Sequence, residues 1–402
     1  MTELSRRQAW VVAIVATLTM TVSYIDRATL GVLAPSVIDA LDISKESYGW
    51  LTSVFSVAYL VATPLAGRWI DRAGARRGLV GSVLVWSVIA ALHAVVPTFG
   101  MLVALRFALG IAEGPSFPGA AQTVQRVLPV EERARGFGVL FTGSSVGGML
   151  VPPLAAWLFS IAGWRMAFLG TAAIGLLWVP LWIMITRGVV VRAKLDVQPE
   201  VARAPRLPFR AVVTHPLMMR ALLGIVAIAP VVGFFQAWGA LYLGRAFGVS
   251  QAGVGGYLWV PPLMFDLGAV GFGDFASRQR RGAGAPPLLL HAIAAVMAAS
   301  LALLPLAGTP WAAMTIVGVA MAGTGAIYTL VTADLLARMP AASVSFAGGI
   351  LAGAQSLSFI VVNPLIGRAV GATGDYDTVA LALGVWVIPG SLAWQLWRPA
   401  SF

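Results

Sequence analysis

Apolar segments long enough to cross a membrane recur along the whole chain. Each is about as long as an α-helix that spans the hydrocarbon layer, where backbone polar groups must be satisfied within the segment. Such a chain is predicted to be an all-α membrane protein with both termini on one side. The predicted helices are at residues 9–36, 47–70, 78–96, 99–127, 135–160, 164–186, 217–244, 252–277, 285–305, 310–337, 344–370 and 378–397.

Composition excludes the other broad classes of protein. Hydrophobic residues make up 59% of the 402 positions and charged residues only 11%, and the mean hydropathy of +0.86 lies far above that of soluble domains. Alternating strands of about ten residues, typical of a membrane β-barrel, do not explain such runs. The short segment before the first helix precedes an apolar stretch too long for a signal peptide, so a retained first helix is predicted.

Enzymatic and metal-binding signals do not stand out. The chain has no cysteine, and its three histidines are dispersed, so thiol chemistry and a clustered metal site are not expected. No phosphate-binding glycine loop, metal-ligand spacing or nucleophile–base arrangement is apparent. We therefore expect no enzyme activity, no metal and no cofactor.

Basic residues indicate the orientation of the chain in the membrane. Of the 27 lysines and arginines, 21 lie on the side of the termini, four lie on the other side and two lie within predicted helices. The positive-inside rule then places both termini in the cytoplasm. The net charge of +11 is explained by this topology, and a nucleic-acid partner is not expected.

A polar segment divides the chain into two halves. Residues 188–216 carry prolines and arginines and lack apolar character, which predicts a cytoplasmic linker between six-helix bundles at 1–187 and 217–402. Residues 67–77 follow the second helix of the first half, and the similar residues 271–281 follow the second helix of the other half. Paired halves of this kind are typical of secondary transporters.

Charged residues within the apolar segments are candidates for a functional site. Asp26 and Arg27 are adjacent in the first predicted helix, and Arg106 and Glu113 are seven residues apart in the fourth. That spacing places the latter two on one helical face. Ionisable residues at bilayer depth are costly and mark pathways for ions or substrates, although a purely structural ion pair is an alternative.

The chain resembles the major facilitator superfamily in the segment from Gly67 to Arg77. That segment matches the signature Gly-x-x-x-Asp-Arg-x-Gly-x-Arg-Arg at every position. Within the superfamily the chain resembles the anion:cation symporter group, which includes hexuronate, galactonate, glucarate and phthalate transporters, and the hexuronate-like branch is the best match. The matching stretches are residues 24–30, 106–118, 132–134, 143–147, 152–153, 163–165, 259–262 and 266–268.

Three positions depart from the pattern of that group. Residues 276–278 are Ala-Ser-Arg in place of Ser-Asp-Arg, residues 127–129 are Val-Leu-Pro in place of Trp-Phe-Pro, and residues 238–240 are Trp-Gly-Ala in place of Trp-Leu-Pro. The last change removes a proline near the expected substrate cavity and bears on sugar-acid specificity.

The resemblance implies roles for the charged residues. Asp26 and Glu113 are expected to be proton-linked groups, and Arg27 is expected to contact a carboxylate substrate. Arg106 is expected to alternate between Asp26 and Glu113, with exchanged roles of the two arginines as the alternative. Further candidates for substrate binding are Tyr24, Tyr59, Phe235, Gln236, Trp238, Gln355 and Asn363.

Two other groups of charges are expected to act away from the substrate. A cytoplasmic gate is predicted from Gly67, Asp71, Arg72, Gly74, Arg76, Arg77 and Arg133. Asp266, and the pair Asp334 and Arg338 spaced by four residues, are interpreted as structural.

The sequence therefore predicts a proton-coupled symporter that imports a small organic anion, either a monocarboxylate or a sugar acid, by alternating access. Its expected partners are that anion, the proton and the lipid bilayer, and its expected location is the bacterial inner membrane as a monomer. A proton-antiport exporter of amphipathic or lipid-like compounds is the main alternative. A membrane sensor or scaffold without transport is the third hypothesis.

Overall fold

The computed structural model describes residues 4–196, 208–279, 287–339 and 344–399. Secondary structure in these ranges is helical, with short 3-10 segments at His93–Val95, Val254–Gly256 and Ser300–Leu306. The α-helices are α1 (Arg6–Val32), α2 (Ala34–Ala40), α3 (Lys45–Ala73), α4 (Ala75–Leu92), α5 (Phe99–Glu113), α6 (Ser116–Val127), α7 (Val130–Ile185), α8 (Val189–Asp196), α9 (Phe209–Val213), α10 (Pro216–Phe247), α11 (Val260–Gln279), α12 (Leu288–Ala299), α13 (Pro310–Ala337), α14 (Val344–Thr373) and α15 (Asp377–Leu396).

Each predicted span has a helical counterpart, and local sequence explains where they begin and end. Ser5 and Gln8 form a capping box at the start of α1, which satisfies backbone N–H groups at the helix N-terminus. Thr309 caps α13 through the N–H of Ala312, and the bounds of α13 match the predicted span at 310–337. Among the described residues, eight helices are long and apolar enough to cross a membrane.

Several predicted spans differ from the structure in continuity. The span predicted at 99–127 is divided into α5 and α6 at Gly114 and Pro115, where proline supplies no backbone N–H donor. The spans predicted at 135–160 and 164–186 are both contained in α7, which is kinked at Ala162 and Gly163. The kink depends on glycine because Gly163 has φ +76°.

The described chain forms two compact units. Unit 1 contains residues 4–43, 51–196 and 250–259, and unit 2 contains residues 44–50, 208–249, 260–279, 287–339 and 344–399. The first residues of α3 therefore pack with the second unit. The predicted linker at 188–216 contains α8 and α9, and the predicted domain boundaries stay a prediction.

In unit 1, glycines of α7 bring this helix close to α1. A Cβ atom at Gly143 would lie 2.7 Å from the Thr17 carbonyl oxygen, and one at Gly147 would lie 2.5 Å from that of Thr21. The Thr21 hydroxyl donates to the Gly143 carbonyl at 2.9 Å. Small residues at such positions allow close helix packing in membranes, and this packing holds the charged part of α1 in place.

In unit 2, a buried ionic cluster connects the ends of three helices. Asp334 of α13 accepts hydrogen bonds from Arg338, as predicted, and from Arg220 of α10 at 2.8 Å. Arg220 also donates to the carbonyl of Trp394 in α15 at 2.7 Å, and its guanidinium lies 3.9 Å from the Trp394 ring centre. The cluster gives the Asp334–Arg338 pair a structural role, which was its interpretation from sequence.

Candidate functional site

Four charged side chains, two from α1 and two from α5, lie close together in unit 1. Asp26 and Arg27 are in the last two turns of α1, and Arg106 and Glu113 lie two turns apart on α5. Asp26, Arg106 and Glu113 have residue exposures of 2%, 4% and 0%. Buried charges are stable only when they are paired or solvated by other polar groups. The ion pairs and hydrogen bonds of these four side chains are therefore relevant to function.

Arg27 and Glu113 form the central ion pair. The Arg27 guanidinium donates to Oε2 of Glu113 from Nη2 at 3.0 Å and from Nε at 3.3 Å. The Ser23 hydroxyl, one turn earlier on α1, donates to the same oxygen at 2.8 Å. The other oxygen, Oε1 of Glu113, is buried without a hydrogen-bond partner among the described residues. The pair therefore leaves one carboxylate oxygen able to accept a proton.

Aromatic rings enclose the guanidinium of Arg27. Its central carbon lies 4.7 Å from the ring centre of Tyr24, 4.7 Å from that of Phe55 and 4.5 Å from that of Tyr59. Contacts of a cation with an aromatic face at such distances are attractive. Tyr24 and Tyr59 were predicted to be near the substrate, whereas Ser23 and Phe55 were missed. Helical spacing is the signal that could have found them, because each lies four residues before a predicted site residue.

Asp26 and Arg106 lie beside this pair. Neither oxygen of the Asp26 carboxyl has a hydrogen-bond partner at normal geometry among the described residues, although the buried Trp86 indole interacts with this carboxyl. Arg106 donates from Nη2 to the Arg27 carbonyl oxygen at 3.2 Å, and its guanidinium lies 5.2 Å from the Phe55 ring centre. The sequence left the ion pair open between the two arginines, and in this structure Arg27 pairs with Glu113; the expected alternation of Arg106 between Asp26 and Glu113 stays a prediction.

The substrate-binding candidates of the second half lie in unit 2. Trp238 of α10 donates its indole N–H to Oδ1 of Asn363 in α14 at 3.2 Å, and both residues are buried. The ring of Tyr48 meets that of Trp238 edge to face at 5.1 Å, and its hydroxyl donates to the Ala237 carbonyl at 2.8 Å. Sequence reasoning did not single out Tyr48. Of the other candidates, Phe235 is buried, Gln355 is half-buried and Gln236 is exposed.

Two of the predicted gate residues, Arg76 and Gly74, lie against α8, a helix within the predicted linker. Arg76 pairs with Asp196 at the end of α8 through Nε and Nη2, at 3.0 and 2.8 Å from Oδ2. Arg126 donates to the Leu195 carbonyl at 2.9 Å. Gly74 has φ +76°, and a Cβ atom there would lie 2.9 Å from that same carbonyl oxygen. Glycine is thus required both by its backbone conformation and by the approach of α8.

The remaining gate candidates differ in exposure. Arg72 and Arg77 are exposed and Gly67 is half-buried, while Arg133 donates to the nearby Leu128 carbonyl at 3.3 Å. The side chain of Asp71 lies outside the described residues, and Asp266 is half-buried on α11 in unit 2. The gate therefore stays a prediction.

Replacing Asp196 by asparagine should destabilise unit 1. Arg76 and Asp196 have side-chain exposures of only 18% and 26%, and a charge-assisted contact of this kind contributes about 1–2 kcal/mol. A thermal melt of the purified protein in detergent should show a lower midpoint. Asp274→Asn is the matched control, since its pair with Arg278 has exposures of 50% and 76% and should contribute little. An equal fall in melting midpoint for Asp196→Asn and Asp274→Asn would contradict the structural role of α8.

Comparison with known proteins decides the family. The sequence model described as "Major Facilitator Superfamily" matches residues 16–363. The chain belongs to the major facilitator superfamily. It is a multi-pass membrane transporter and not an enzyme, and the predicted all-α membrane fold of this superfamily is confirmed.

The curated relatives of this transporter are sugar-acid transporters. The hexuronate transporter of Escherichia coli (strain K12) is 24% identical over 405 aligned residues, which cover 94% of this chain and 93% of the relative. The galacturonate transporter of Dickeya chrysanthemi is 27% identical over 273 residues, with 65% and 79% covered. The predicted resemblance to the hexuronate-like branch is confirmed by these matches.

A solved structure supports the fold assignment. The crystal structure of a bacterial homologue of the human lysosomal transporter Spinster, inward-facing and unoccupied, has a TM-score of 0.82 to this transporter. The two chains are 18% identical, and the match covers 99% of this chain and 100% of that one. At this identity the likeness concerns the fold alone.

Proposed function

We propose that this transporter imports a small organic anion, a sugar acid or another monocarboxylate, together with a proton. The observation that carries the proposal is the ion pair of Arg27 with Glu113, in which Arg27 is half-buried and Glu113 is fully buried. Curated relatives named as hexuronate and galacturonate transporters support a carboxylate as the substrate.

The pair suggests how anion and proton binding depend on each other. Glu113 is a carboxylate that holds the guanidinium of Arg27 at 3.0 Å, so a carboxylate substrate must compete with it for the same donors. Protonation of Glu113 would weaken the pair and free the Arg27 guanidinium, which offers the planar fork that carboxylates bind. The unpartnered Oε1 of Glu113 is the position at which we place the proton.

Asp26 is proposed as the second proton-linked group. It is buried, and its oxygens lack hydrogen-bond donors at normal geometry among the described residues. An ionised carboxylate is costly to bury in this way, so we take Asp26 to hold a proton in this arrangement. Arg106, close to the same site through the Arg27 carbonyl, would attract the carboxylate after the proton has left.

The remaining parts of the proposal concern location. The excess of lysine and arginine on one side supports cytoplasmic termini, and the bacterial relatives support the inner membrane. We propose that the protein acts as a monomer, with Tyr24 and Tyr59 beside the carboxylate of the substrate.

Uptake by proteoliposomes tests the function directly. Purified protein should accumulate radiolabelled D-galacturonate when the outside is more acidic, and substrate addition without a gradient should make the outside medium more alkaline. Protein-free liposomes are the control. Accumulation that follows a sodium gradient and ignores pH would contradict proton coupling, and transport of amphipathic compounds in place of sugar acids would favour the exporter hypothesis.

A further inference from the structure

Phe55 of α3 contacts both arginines of the charged cluster. Its ring centre lies 4.7 Å from the guanidinium carbon of Arg27 and 5.2 Å from that of Arg106. Phe55 itself is 5% exposed, so these contacts are shielded from water. The two cations are thus brought to one aromatic ring inside the membrane.

Placing two guanidinium groups this close has an electrostatic cost. Like charges repel more strongly as the surrounding dielectric constant falls. Glu113 offsets part of the positive charge, because it makes an ion pair with Arg27. The faces of an aromatic ring carry negative potential and attract cations. Phe55 therefore offsets part of the repulsion without adding a charge that would compete with an anionic substrate.

The surrounding backbone holds this ring in place. A Cβ atom at Gly110 of α5 would lie 2.6 Å from the Phe55 carbonyl oxygen, so α3 and α5 approach closely one turn after Arg106. The ring of Tyr59, one turn further along α3, stacks on Phe55 with ring centres 5.9 Å apart and planes inclined by 15°. A residue whose backbone is held against α5 and whose ring is packed on Tyr59 can set the positions of the cations beside it.

We propose that Phe55 is a positioning residue that holds Arg27 and Arg106 together through its aromatic faces and so increases affinity for the substrate anion. The inference rests on the proposed function, since it assigns Phe55 to the same anion site. The Phe55 side chain has no conventional hydrogen-bonding group, and it acts through the two arginines. Weakening the ring's negative potential should therefore raise KM and leave the maximal rate nearly unchanged.

Graded fluorination of the ring separates this role from simple packing. Phenylalanine with one, two or three ring fluorines keeps nearly the same shape while the attraction for cations falls with each fluorine. Incorporated at position 55, the series should raise KM for D-galacturonate stepwise, to about tenfold at three fluorines, which corresponds to about 1.4 kcal/mol. The melting temperature of the ligand-free protein should fall in the same order.

Phe234 is the matched control position. It is 1% exposed, and its ring packs against the rings of Tyr242 and Tyr376. No arginine lies over its face among the contacts of the described chain. Fluorination there should leave both KM and melting temperature without a graded trend.

The melting temperature and the uptake of sugar acid together distinguish failure of this inference from failure of the proposed function. If position 55 shows no graded change in melting temperature, or the same trend as position 234, the positioning role is wrong even when uptake is normal. If the unmodified protein takes up no sugar acid but the melting series at position 55 is graded, the ring–arginine interaction stands and the proposed substrate is wrong.

Discussion

Glu113→Gln should abolish proton-driven accumulation of the sugar acid while exchange of substrate across the membrane survives. Glutamine keeps the size of the side chain but stays neutral at every pH, so it cannot carry a proton. It also releases Arg27 from its ion pair, so the anion can still bind. With one proton per anion, a gradient of one pH unit supports about tenfold accumulation, and the variant should fall to no accumulation.

Proteoliposomes can measure proton-driven accumulation and substrate exchange on one preparation. Net uptake under a pH gradient reports coupling, and counterflow of labelled against unlabelled D-galacturonate reports binding and movement. Glu132→Gln is the matched control, because Glu132 pairs with Arg6 and Trp10 at the start of α7 and does not belong to the charged cluster. If Glu113→Gln accumulated substrate as the unmodified protein does, Glu113 would have no part in coupling.

Arg27→Lys should reduce kcat/KM for sugar-acid uptake by about 100-fold or more. Lysine retains a positive charge but has no planar fork for a carboxylate. Arg27→Ala should lose uptake entirely and also lower the melting temperature. The truncation leaves the buried Glu113 without its cation, and breaking a buried pair from one side costs about 3–5 kcal/mol.

Arg165→Lys provides the control for the arginine substitution. Arg165 is exposed and stacks over Trp164, with its guanidinium 4.1 Å from a ring centre, so the change should leave uptake of D-galacturonate nearly unaltered. Normal sugar-acid transport by Arg27→Ala would contradict the anion-binding role of Arg27. Transport of amphipathic compounds by that variant would then favour the proton-antiport exporter.

Much of the architecture could be predicted because it depends on local properties of the chain. An apolar run must become a helix in lipid, since its backbone polar groups have no other partners. A cap such as Thr309 determines where the helix begins. Breaks were harder to predict, as at Gly114–Pro115 and in α7, because a proline or glycine inside a membrane helix is compatible with either a kink or an end.

In the predicted linker, the polarity of the sequence alone was insufficient to predict which residues pack against unit 1. Residues 188–216 were interpreted as a connection on the strength of their polarity, yet α8 buries Val191 and Leu195 in the core of unit 1. Its last residue, Asp196, pairs with Arg76. Two isolated apolar residues and one acid are a weak signal in sequence, and only their contact with α4 reveals the role.

By itself, the sequence determined that this protein is a polytopic helical membrane protein with acids and arginines at bilayer depth, because hydropathy and helical spacing are local properties. Tertiary structure decided which charges meet. Arg27 pairs with Glu113, and Phe55 contacts both arginines. Those pairings depend on how α1, α3 and α5 are rotated against one another, and that rotation is determined by packing between helices distant in sequence.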